Sequence, residues 1–77
     1  MRTFSAEDIA AITAWYETNK DRLPTNVQIA PGETVTNVPK FLKHLLSIAQ
    51  ANYSNPTFSR EIQYLFDLKD LIENTKP

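Results

Sequence analysis

The sequence predicts an all-α domain: a small three-helix bundle with a long ordered loop between helices 1 and 2. Three observations carry this prediction. Apolar residues recur at steps of three and four in three separate stretches. Each stretch opens on a cap residue or a proline. The one segment with a two-residue alternation is short and holds the chain's single glycine, Gly32. The expected organisation is one domain over residues 1–77, with helix 1 at about 5–20, the loop at 21–37, helix 2 at about 38–52 and helix 3 at about 57–74.

Helix 1 begins at Ser5, whose hydroxyl is placed to accept the amide of Asp8 while Asp8 reaches back as a short version of a capping-box acid. Phe4 and Ile9 occupy the two positions of a hydrophobic staple, and Glu7 and Asp8 suit the positive end of the helix dipole. Ile9, Ile12, Trp15 and Tyr16 mark one apolar face. Asn19 to Pro24 stop the helix.

In the loop, Val27, Ile29 and Val35 alternate with Gln28, Thr34 and Thr36 around Ala30-Pro31-Gly32-Glu33, which fits a type II turn. Such turns splay strands, so at most a brief two-stranded bridge is expected, with the three aliphatic residues folding back onto the helices. A connection of this length is commonly functional or mobile.

Helix 2 is expected to start at Asn37 as N-cap, with Pro39 in its first turn. Phe41, Leu42, Leu45, Leu46, Ile48, Ala49 and Tyr53 give it an apolar arc, opposed by Lys40, Lys43, Ser47 and Gln50. Asn52-Tyr53-Ser54-Asn55-Pro56 ends it. Helix 3 carries Phe58, Ile62, Leu65, Phe66 and Ile72 inward and Arg60, Gln63, Asp67, Asp70 and Asn74 outward, with Tyr64, Leu68 and Leu71 on its flank.

Composition narrows the functional classes. Eight Lys and Arg against nine Asp and Glu, with 42% hydrophobic residues, describe an ordinary globular chain. No cysteine removes disulfides, thiolate metal sites and Cys nucleophiles. One glycine and one histidine speak against a glycine-rich phosphate cradle and a multi-histidine metal centre. The first eight residues do not read as a signal peptide, and no apolar run approaches the ~20 residues of a membrane span. A cytoplasmic location and no membrane association are therefore expected.

Several constellations invite sharper readings. His44 with Ser47 could be base and nucleophile, but both lie on one helix with no acid nearby in the sequence to orient the imidazole. Asp67, Asp70 and Glu73 could gather on one side of helix 3, yet an open face offers too few oxygens for a hard cation. Lys40, Lys43, His44 and Arg60 form the only basic group that could meet nucleic acid, a small one for phosphate binding, and Asp67 and Asp70 oppose it. Trp15, Tyr16, Tyr53 and Tyr64 are core fillers or interface residues, and an exposed member of the set hints at a partner or a homodimer.

The ordered string Phe4-Ser5…Trp15-Tyr16, Leu23-Pro24, Ile29-Ala30-Pro31-Gly32, Val35-Thr36-Asn37-Val38-Pro39-Lys40-Phe41 and Pro56-Thr57-Phe58 resembles a family of short bacterial domains of unknown function. The resemblance spans roughly Phe4 to Leu71 and supports the fold, with no catalytic or ligand residue to carry over.

The function expected from the residues is a non-catalytic interaction or regulatory module without cofactor or metal, acting through an unidentified protein partner or a second copy of itself. Its contact residues are expected to be Trp15, Ile29, Pro31, Gly32, Val35 and Tyr64. The alternative is weak nucleic-acid binding by Lys40, Lys43, His44 and Arg60, and an enzyme ranks third.

Overall fold

A reciprocal pair of side-chain hydrogen bonds starts the first helix. Ser5 Oγ accepts the Asp8 amide at 3.1 Å, and the Asp8 carboxylate accepts the Ser5 amide at 3.0 Å. Together they satisfy two donors near the helix start, the box expected from Ser5 and Asp8. Helix α1 follows as Ala6–Asn19. The computed structural model describes residues 4–74; the outermost residues of the expected 1–77 domain, 1–3 and 75–77, lie outside that range. Phe4 and Ile9, the two staple residues, are both buried.

The close of α1 is tighter than an α-helical turn. Asn19 Nδ2 donates to the Trp15 carbonyl at 2.8 Å, and Lys20–Arg22 form one turn of 3-10 helix. Leu23 is then extended, with φ −69° and ψ 140°, as the proline ring behind it requires.

The fold is mostly helical but not purely α, which corrects the predicted class. Between α1 and α2 lies an antiparallel hairpin of β1 (Val27–Ala30) and β2 (Glu33–Val35). It is more than the brief bridge expected. Val27 pairs with Val35, Gln28 with Thr34 and Ala30 with Glu33, so Ile29 is the extra residue of a bulge. The bulge adds local twist, and that is how pairing survives a turn type that splays strands. Gly32 has φ 79°, the value that the third position of a type II turn requires.

Helix α2 (Val38–Asn52) starts where expected but by a different device. Asn37 precedes it in the left-handed region, φ 53° and ψ 52°, and its side chain makes no capping bond. The Val38 amide donates instead to the Thr25 carbonyl at 2.8 Å, tying the helix start to the base of the hairpin. Asn37 therefore serves as a corner, a conformation that its short polar side chain tolerates better than most.

Asn55 caps the next segment, accepting the Thr57 amide at 3.0 Å. Pro56–Phe58 form a 3-10 turn, and α3 runs Ser59–Asn74, two residues later than expected. The packed core is built by Phe4, Ile9, Ile12, Val27, Val38, Leu42, Leu45, Leu46, Ala49, Ile62, Leu65, Leu68 and Ile72. Leu68 belongs to this core at 1% exposure rather than to the flank of α3. Val38, 0% exposed, is a core residue that the periodicity of helix 2 did not single out.

The helices are registered by named contacts. The rings of Phe41 and Tyr64 meet edge to face, with centroids 5.6 Å apart, and join α2 to α3. Gln50 Nε2 donates to Thr13 Oγ1 at 3.3 Å and joins α2 to α1. Phe4 lies on Phe66, and Trp15 on Lys69 and Glu73, so α1 and α3 run in the same sense.

Candidate functional site

Helix geometry divides the surface of α3. At about 100° per residue, Tyr64, Asp67, Leu68 and Leu71 lie toward one flank, whereas Phe66, Lys69 and Glu73 lie toward the opposite one. The first flank meets the hairpin: Ile29, Tyr64, Asp67, Leu68 and Leu71 line an open groove of about 330 Å³ between β1 and α3. Ile29 stands two residues after the buried Val27 and so shares its face of β1, with the bulge adjusting its aim. An extra residue bends the strand and re-aims its side chain, and Ile29 is left half-buried against the core.

The six contact residues expected from the sequence do not form one patch. Ile29 and Tyr64 line the same groove. Val35 is half-buried beside Val27, on the inward face of the hairpin. Pro31 and Gly32 are exposed at the hairpin tip. Trp15 is on the other flank of α3, where its Nε1 donates to the Glu73 carboxylate and the Lys69 ammonium sits 5.7 Å from the ring centroid. It ties α1 to α3 and is remote from the hairpin groove.

Asp67, Leu68 and Leu71 are the groove residues that the expected contact set lacked. Leu71 was legible as a flank residue seven positions after Tyr64, the spacing of one helical stripe. Asp67 is exposed, and its Oδ1 accepts from Gln63 Nε2 at 2.9 Å.

Lys40, Lys43, His44 and Arg60 are all exposed. Lys40 and His44 line a second open groove, of about 300 Å³, with Thr36, Asn37 and Phe41. Arg60 lies one turn before Tyr64 on α3 and does not line that groove. Lys43 points further round α2, away from Phe41. Lys40 and His44 border Phe41 of the ring pair, while Arg60 and Asp67 lie on the turns of α3 before and after Tyr64.

The remaining constellations resolve locally. Ser47 Oγ donates to the Lys43 carbonyl at 3.1 Å, a bond to its own helix backbone. Asp8 is held in the α1 cap, and Glu73 receives the Trp15 indole. Among the described residues, no group of three or more His, Cys, Asp or Glu side chains gathers to hold a metal ion, and no side chain that is polar or charged is buried. No helix among them is long and apolar enough to cross a membrane.

No curated protein and no solved structure matches the chain. A family model matches residues 7–74, nearly the whole described segment and most of the span on which the sequence resemblance rested. The chain belongs to the family described as Domain of unknown function (DUF6965).

Proposed function

We propose that this domain is a small, non-catalytic protein-interaction module of the cytoplasm whose contact surface is the hairpin and the groove between β1 and α3. The observation that carries this reading is the combination of Ile29, Tyr64 and Leu71 in one open groove. Three large apolar side chains there remain partly accessible side by side, while most of the chain's other leucines and isoleucines close a core. Such a patch rimmed by polar residues is the usual form of a protein contact. The exposed tip at Pro31 and Gly32 extends the surface, and the bulge supplies a fixed presentation for Ile29.

Affinity capture from the native cell with the wild-type domain and with Leu71→Ser and Pro31→Ala tests the reading. The expected result is a partner retained by the wild type and lost by the variants. Their melting temperatures should stay within about 4 °C of the wild type, the smallest shift that 1 kcal/mol produces in a domain of this size. Capture that the variants leave unchanged would remove the groove from the contact surface.

Nucleic-acid binding is the second reading, favoured by Lys40 and His44 beside Phe41, with Arg60 one turn before Tyr64 on α3. It ranks lower because Asp67 shares the stripe with Arg60 and repels phosphate, and because so few cations give weak, strongly salt-dependent binding. Retention of labelled RNA or DNA at low salt that disappears in Lys40→Gln/Arg60→Gln supports it; no retention at low salt ends it.

A further inference from the structure

The accessible edge of α3 is a palindrome of charge. Arg60, Tyr64, Asp67 and Leu71 follow one another at steps of four, three and four, and at about 100° per residue all four project within about 60° of each other. Arg60 and Asp67 are exposed, and Tyr64 and Leu71 are partly so. Seven residues separate the cation from the anion by about 10 Å along the axis, too far for the two to pair within one helix. No ion pair joins either of them to another described residue; the one polar contact of Asp67 is the bond from Gln63. Read from either end, the stripe offers a charge, an aromatic ring and the opposite charge.

We propose that the occupant of this surface is a second copy of the chain, bound with its α3 antiparallel to the first so that Arg60 of each copy meets Asp67 of the other. The two-fold axis then passes beside Tyr64, and the Tyr64 rings of the two copies are neighbours. Leu71 of each copy falls over the turn at Pro56 of the other, where both sides are accessible. A two-fold contact of this kind requires a self-complementary surface, and the Arg60–Asp67 spacing supplies it twice per dimer. The proposal rests on the reading of this edge as a contact surface and names its partner. A helix-on-helix contact of this length is smaller than the about 800 Å² per partner of a standard stable interface, so the dimer is reversible and concentration-dependent.

Sedimentation velocity over a concentration series tests it, with Arg60→Glu, Asp67→Arg, the double variant, and an equimolar mixture of the two single variants. Both positions are exposed on α3, and circular dichroism checks that the helices are kept. The wild type is expected to self-associate. Each single variant places two like-charge pairs in the dimer and weakens association by about tenfold or more. The double variant restores it, and the mixture restores it as a heterodimer. Added salt weakens the wild-type dimer. A wild type that stays monomeric throughout, or single variants that associate like the wild type, overturns the second copy as occupant. Weakening without restoration in the double variant overturns the antiparallel pairing. Capture of a different protein is decided separately by Pro31→Ala, which lies at the hairpin tip outside the contact between copies.

Discussion

Phe4 and Phe66 stack with ring centroids 5.0 Å apart and planes 7° from parallel. The residue just before the α1 cap is thus joined to α3, so the local staple that directs the chain into its first helix is also a tertiary contact. Truncating Phe4 to Ala is expected to cost about 3–5 kcal/mol, the range for a buried Phe. Phe66 is only partly buried, and its truncation should cost less. A double-mutant cycle by urea denaturation should return a coupling of about 0.5–1.5 kcal/mol for the ring pair. Strict additivity would show the stacking to be incidental.

Ser5→Ala removes the acceptor for the Asp8 amide, and Asp8→Ala removes the acceptor for the Ser5 amide. Each is expected to lower stability by about 1 kcal/mol. The two bonds share the same turn, so the double variant should lose less than the sum of the singles. Thermal melts of the three variants check this, and full additivity would mean that the bonds act independently.

The cap of the first helix and the three helical stripes were legible because their signals lie within a few residues of one another. The Ser5–Asp8 box needs a spacing of three, and the arc from Phe41 to Tyr53 needs only the helical period. The misreadings fall where a distant segment decides. Asn37 reads as an ordinary N-cap, but its left-handed corner is set by the bond from Val38 back to Thr25, across the whole hairpin. The strand alternation was visible, whereas the bulge at Ile29 depends on which residue of β2 stands opposite. Leu68 was assigned to the flank because the period of α3 gives a wide arc without saying where α2 sits in it. Trp15 was grouped with the hairpin residues, yet its hydrogen-bond partner Glu73 is 58 residues away in sequence, and no local pattern announces that pair.

Gly32 and Asn37, the positive-φ residues among those described, predict opposite responses to substitution. Gly32 is at φ 79° with nothing within 4 Å of where a Cβ would stand, so Gly32→Ala meets no clash. Its expected cost of about 1–2 kcal/mol is backbone strain alone. Asn37 is at φ 53° without a capping bond to lose. Asn37→Gly should therefore be neutral or mildly stabilising, while Asn37→Ala should cost about 1 kcal/mol. Chemical denaturation of the three variants checks the ordering. Equal losses for Asn37→Gly and Asn37→Ala would mean that the Asn side chain, not the backbone, holds the corner.

The Lys20–Glu17 pair should leave almost no trace in stability. The Lys20 ammonium is 2.9 Å from the Glu17 carboxylate, and that hydrogen bond raises its pKa above the ordinary 10.5, reinforced by the charge attraction to Glu17. A raised folded-state value means that any stabilisation is fully present below pH 10.5 and is lost as pH climbs through the higher folded value. Both side chains are well exposed, where such pairs contribute little. Melts of Glu17→Gln and the wild type should coincide from neutral pH up to about pH 10. A clear drop for the variant in that range would show the pair to matter.

Trp15 is the only tryptophan of the chain, and its place on the flank of α3 remote from the hairpin groove makes it an internal control for binding. Its ring is held between two α3 residues: Glu73 accepts the indole N–H, and Lys69 lies 5.7 Å from the centroid. Its emission should therefore follow the docking of α1 on α3. Glu73→Gln keeps an acceptor but removes the charge, and Lys69→Met removes the cation while keeping most of the apolar stem. The Lys69 change should cost about 0.5–1 kcal/mol, the usual worth of a cation over a partly exposed ring. Both should alter the emission of the folded state. Occupation of the Ile29–Tyr64–Leu71 groove should leave that emission unchanged, because the contact is made across the helix from the indole. A tryptophan shift that tracks partner binding, with the fold intact by circular dichroism, would place the partner on the α1 side of α3 and restore Trp15 to the contact surface.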